Sequence, residues 1–152
     1  MRTWIVVAAS LALGISALPV CAAAHGSDEP NQQSIDALEA RANLAQPREQ
    51  CFLYAQLVQQ MTELSIRQYA DGDFVKANLL LRHIQQITQK IHLSLANNDK
   101  RLKNAEILLN HTAFRLNEML HASSLEDRSL VEETLARVNQ AQNATMLQVF
   151  RK

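Results

Sequence analysis

From residue 34 onward the apolar positions recur every three or four residues and never alternate, so the pattern predicts helices and gives strands no support. Ser34 to Gln46 reads as a short helix with Ile35, Leu38, Ala42 and Ala45 on one thin stripe. Pro47 fits a helix start, where no backbone donor is needed. The second helix then runs from about Arg48 to Ala70, with Tyr54, Val58, Met61, Ser65 and Tyr69 on one face and Leu57 and Leu64 beside them. Asp71-Gly72-Asp73 closes it, with a glycine suited to the left-handed conformation and an aspartate placed to cap the next helix.

The third helix is expected from Phe74 to Ala96. Its stripe of Ala77, Leu81, Ile84, Thr88, Ile91 and Leu95 falls within about 60° at 100° per residue, widened by Leu80 and Ile87. Asn97-Asn98-Asp99 reads as the next turn, with Asp99 as a cap, and the fourth helix as Lys100 to His121 along Leu102, Ala105, Leu109, Ala113, Leu116 and Leu120. Ser123 and Ser124 have Glu126 and Asp127 three residues on, the capping-box spacing. The fifth helix continues to about Phe150 on a smaller, more polar seam: Val131, Thr134, Val138, Ala141, Thr145 and Gln148.

Four helices of about 22–26 residues would each be about 33–39 Å long. Joined by turns of three or four residues, they predict an all-α, up-down antiparallel bundle of four long helices plus the short N-terminal one. The bundle domain is placed at 34–152, behind a polar flexible segment at 25–33.

The first two dozen residues obey a different rule. Met1-Arg2-Thr3 is a basic start, Trp4 to Leu18 an uncharged apolar run, Pro19 a helix breaker, and Ala22-Ala23-Ala24 a small-x-small site before the polar His25-Gly26-Ser27. That order is the grammar of a secretory signal peptide over 1–24, cleaved after Ala24. It implies a periplasmic or secreted protein. An uncleaved anchor would want about 20 apolar residues, against which Pro19 and the alanines speak. Lipidation at Cys21 would want a small residue before it, and Val20 is not small.

Removing 24 residues from 152 leaves 128, enough for a real core. Cys51 is then the single cysteine, so the fold does not depend on a disulfide. Near-neutral charge offers no case for nucleic acid, and no stable membrane span is expected after cleavage. Charge is nonetheless uneven. Residues 25–75 hold eight acids and three bases, residues 76–122 seven bases and three acids, which places helix two against helix three or four.

Histidines are the natural place to seek a metal or haem: His83 and His92 on helix three, His111 and His121 on helix four. If the 97–99 turn closes a hairpin, His111 comes about one turn from His83, the pairing such a site needs. The faces disagree, since His111 points away from its own stripe and His83 lies to one side of its stripe, so solvated histidines are the expectation. Met61 or Met119 would be the sulfur ligand. Glu118-Met119-Leu120-His121 has the Glu-x-x-His spacing of di-iron bundles, which use two such motifs and two further glutamates; here there is one. Phosphate loops, nucleophile elbows and His-Glu-x-x-His are absent from the sequence.

His111, Arg115 and Glu118 stack on one outward stripe flanked by Ile107 and Phe114. As a surface ion pair this is worth about 0.3 kcal/mol; as an apolar pair inside a charged rim it has the make-up of an interaction patch. Lys100, Arg101 and Lys103 cluster at a helix start, where bases oppose the helix dipole. The expected function is a non-enzymatic envelope module, an interaction or chaperone-like bundle, needing no cofactor. Its partner would be another envelope protein, or a second copy engaged through helix 125–150. The alternative is a metal- or haem-binding bundle using His83, His111 or His121.

Overall fold

The computed structural model describes residues 29–97 and 100–151. The expected signal sequence at 1–24, Cys21 and the Asp99 cap lie outside the described residues. Five helices succeed one another: α1 (Gln32–Leu44), α2 (Pro47–Ala70), α3 (Phe74–Ser94), α4 (Leu102–Ala122) and α5 (Leu125–Val149), with a 3-10 turn at Leu95–Asn97 after α3. There is no strand among the described residues, and no helix there is long and apolar enough to cross a membrane.

The helix ends have local causes. α1 begins two residues ahead of the expected Ser34, because Asn31 and Ser34 form a reciprocal capping box. Pro47 stands in the first turn of α2. Gly72 takes φ 82°, the left-handed region that favours glycine, and the Asp73 side chain accepts from the Lys76 backbone N–H. Ser124 caps α5 by accepting from the Asp127 N–H; the other half of the expected box is replaced, since the Ser124 N–H donates to the Tyr69 hydroxyl at 2.8 Å.

α4 starts at Leu102 rather than Lys100, behind Arg101 in a left-handed conformation at φ 63°. The α-helical hydrogen bonding of α3 also stops early, at Ser94. The connection therefore runs from Leu95 to Arg101, not over a three-residue turn. That length decides the arrangement. α2 packs on α3 and α4, α5 packs on α3 and α4, and α3 and α4 do not pack on each other among their described residues. The two occupy opposite corners. With sides of 8–10 Å the diagonal is about 14 Å, and seven residues can span it easily at about 3.3 Å each.

Successive helices run antiparallel, as expected, but two of the four joints are parallel. α2 and α4 run side by side with a register of 52 residues, seen in Gln59 against His111 and Glu63 against Arg115. α3 and α5 do the same at 49, through Asn78–Asp127 and Gln85–Thr134.

The core contains Leu57, Val58, Met61, Leu81, Ile84, Ile87, Ile91, Leu109 and Leu116, with Ile35, Leu38 and Ala42 of α1 added from α2's flank. On α5 the buried positions are Val131, Thr134, Val138, Ala141 and Thr145, while Gln148 is half-exposed. Leu130, Leu135, Ala144 and Val149 add partly buried contact along the edges of that seam, more apolar contact than the seam alone predicts. The seam hydroxyls donate within their own helix, Thr134 to the Leu130 carbonyl and Thr145 to that of Ala141.

Candidate functional site

The outward face of α4 holds the residues singled out as a candidate patch. Ile107 is 54% exposed and Phe114 60% exposed, two turns apart, with exposed His111 between them and exposed Glu118 a turn beyond. Arg115 departs from this stripe. It leans toward α2 and grips Glu63 with a fork, Nε to Oε1 at 2.9 Å and a terminal nitrogen to Oε2 at 3.0 Å, while its other nitrogen meets Glu118. Both ends of the Glu63 pair are about 30% exposed, and the two carboxylates hold the guanidinium pKa above its ordinary value. Such bidentate geometry fixes orientation as well as charge. Arg115 therefore fastens α4 to α2, and the patch beside it stands on a rigid base.

α2 adds neighbours that the α4 stripe alone does not disclose. Phe52, Gln56 and Gln59 line a shallow groove of about 360 Å³ with Asn104, Ile107 and Leu108. The Gln59 amide lies 3.4 Å from His111 Nδ1. Finding these residues requires the 52-residue register between α2 and α4, which no single-helix pattern contains.

Two members of the basic cluster at the head of α4, Lys100 and Arg101, are structural. Lys100 pairs with Glu49 at 2.7 Å, and this contact holds the Glu49 carboxyl below its usual range. The Arg101 guanidinium lies 3.5 Å from the centre of the Phe52 ring, a cation–π stack. Both contacts tie the crossing connection to α2, which accounts for bases where the helix dipole disfavours them.

His83 is not a freely solvated side chain. Its Nε2 lies 3.2 Å from Glu39 of α1, which also meets Lys90 at 3.5 Å; Lys90 reaches Asn43 as well at 3.1 Å. This cluster, with the Tyr54 hydroxyl bonded to Asn43, holds α1 on the α2–α3 pair. His111 sits on the diagonal helix and His121 is exposed near the end of α4, so the structure does not bring the three histidines together. Met61 and Met119 are buried in the core. Among the described residues no group of three or more His, Cys, Asp or Glu converges as a metal would need. Cys51 is fully buried, and burial pushes its thiol up to about 11 despite the opposing effect of the nearby Ser94 and Thr145 hydroxyls; such a thiol is inert.

One polar cluster went unforeseen. At the far end of the bundle Asp127 accepts from the Asn78 amide at 2.7 Å, the Ser124 hydroxyl at 2.9 Å and the Tyr69 hydroxyl at 3.2 Å. It clasps α2, α3 and the head of α5. The Ser124–Asp127 spacing marked the cap, whereas Tyr69 and Asn78 carried no signal of their own.

No protein-family model matches the chain, and no curated protein or solved structure matches it either.

Proposed function

We propose that this chain is an exported, non-enzymatic interaction module of the bacterial envelope, chaperone-like in that it presents a docking face rather than a reaction centre, and that it docks through the outer face of α4. One observation carries the reading: Ile107 and Phe114 stand more than half exposed on one face, inside a rim whose charges are already oriented by the Arg115–Glu63 fork. Apolar side chains held out of a folded surface and framed by polar ones are what a partner can desolvate. Export rests on the order of basic start, apolar run and Ala-x-Ala at 1–24.

A photo-reactive residue at position 107 or 114, expressed in the native host, tests the docking face. Light-dependent adducts are expected there and not from Gln86, an exposed polar position on α3. Equal labelling at all three positions sinks the proposal. Intact mass of the envelope fraction tests export, with a chain starting at or near His25 expected.

A further inference from the structure

The outer face of α4 is complementary to itself. Lys103, Ile107, His111, Phe114, Glu118 and His121 are all exposed, and at 100° per residue they fall within an arc of about 80°. Four of them are placed symmetrically. Lys103 and Glu118, Asn104 and Asn117, and Ile107 and Phe114 are each equidistant from the point between Asn110 and His111. A second α4 laid antiparallel across the first, with a two-fold axis through that point, sets Lys103 opposite Glu118 and each isoleucine opposite a phenylalanine. Ile107 and Phe114 are one heptad apart, so they drift by only about 20° around the helix and stay in one seam.

We infer that the partner of this face is a second copy of the chain, bound as an isologous antiparallel α4–α4 pair. The inference rests on the docking reading above and names its occupant. Charge supports the register: Lys103 has no ion pair within the chain among the described residues, and Glu118, met on one side by Arg115 of its own helix, stands exposed at the opposite end of the same face. The reverse, parallel pairing would set like charges against each other. His111 falls beside the axis, where the two copies meet. The seam from Lys103 to Glu118 is only about 22 Å long at 1.5 Å per residue. One helix crossing of that length lies at the small end of specific interfaces, so the pair is a weak, concentration-dependent dimer and not an obligate one.

Sedimentation of the purified protein from about 1 μM to about 1 mM reads it. The expected result is a monomer–dimer equilibrium that Ile107→Asp with Phe114→Asp weakens at least tenfold. Lys103→Glu or Glu118→Lys alone weakens it by about 2- to 10-fold, because each pair occurs twice, and the two together restore it. A general loss of structure would not be repaired by the second charge change. Cysteines add a register test in a Cys21→Ser background, Cys51 being buried: Lys103→Cys mixed with Glu118→Cys should form disulfide dimers, and Lys103→Cys alone should not. A monomer at every concentration, or a dimer indifferent to the charge swap, overturns the self-pairing. If the chain stays monomeric while position 114 crosslinks to a different protein, the docking face stands and only the self-pairing falls. If position 114 crosslinks to nothing, both fall.

Discussion

α3 and α5 occupy neighbouring corners of one bundle, share a parallel joint, and fill the core in opposite ways. α3 sends Leu81, Ile84, Ile87 and Ile91 fully inside. α5 sends two valines, one alanine and two threonines, and its larger side chains, Leu130, Leu135 and Val149, stay partly wet along its edges. A buried methylene is worth about 0.8 kcal/mol and a half-exposed one less, so α3 is anchored at the centre of the core and α5 around its margin. A narrow seam of small residues lets α5 lie close to its neighbours without being deeply keyed into them. It is also fastened by polar bonds: Gln85 to Thr134 in the middle, and Asn78, Tyr69 and Ser124 to Asp127 at its head.

The contrast breaks most easily in the core. Ile84→Ala is expected to cost about 2–5 kcal/mol in chemical denaturation, through lost burial and a cavity no neighbour can fill. If its cost were below about 1 kcal/mol, outside the usual range for such a change, α3 would not be the keystone described. Native-state hydrogen exchange then compares the two helices directly. The slowest amides between Leu81 and Ile91 should exchange at least tenfold more slowly than the slowest between Val131 and Thr145, about 1.4 kcal/mol of local opening energy. Equal protection would mean that the edge leucines hold α5 as firmly as the isoleucines hold α3. Unequal protection would leave α5 able to open while α2, α3 and α4 remain, the state in which helix 125–150 could exchange partners.

The helical period disclosed five helices, most of their boundaries and nearly all of their buried faces, because amphipathicity is local information. The corners they occupy were not legible. Lys100 and Arg101 are good helix formers, so the sequence extends α4 backward over them and leaves a turn too short to cross the bundle. The structure instead commits these residues to Glu49 and Phe52. A misplaced boundary of two residues thereby turns diagonal helices into apparent neighbours and brings His83 and His111 together on paper only. The proposed docking face was half legible for the same reason. Ile107, His111, Phe114 and Glu118 are read from one helix, whereas the lean of Arg115 toward Glu63 depends on a register between non-consecutive helices. The uneven charge of the two halves pointed to α2 lying against α3 or α4; α2 packs on both, and Glu49–Lys100 and Glu63–Arg115 are the attraction to the α4 side.

The polar fastening of α5 is separable from its apolar one. Thr134→Val keeps the volume of the side chain and deletes the acceptor of the Gln85 amide, a 3.0 Å bond between helices. The expected cost is about 1 kcal/mol. Thr88→Val on α3 removes a hydroxyl that bonds only its own helix, to the Gln85 carbonyl, and should cost less. Matched urea denaturation of the two variants decides it, and equal costs would show that the Gln85–Thr134 bond adds nothing to the joint.

The smallest effect is a pH dependence at the head of α5. Hydrogen bonds from Asn78 first, then from Ser124 and Tyr69, hold the Asp127 carboxyl below its ordinary value, against an opposing push from burial. A carboxyl whose pKa is lower folded than unfolded binds protons more readily in the unfolded chain. Its contribution is therefore fully present above the ordinary aspartate value of about 3.9 and is lost as pH falls through the lower folded value. Asp127 is partly exposed, so solvent screening leaves only about a few tenths of a kcal/mol. That is small against whole-molecule stability but visible locally, because the clasp holds the long helix that has the smallest buried side chains. Between about pH 4 and about pH 2, amides in the first two turns of α5 should lose protection before those of α3. Asp127→Asn keeps an acceptor and removes the titration. The difference between the two proteins should accordingly be flat above about pH 4 and shrink below it, although both carry the same remaining carboxylates. A difference that stays constant down to about pH 2 would mean that the charge of Asp127 does not matter to the clasp, and that the neutral hydrogen bonds alone hold α5 in place.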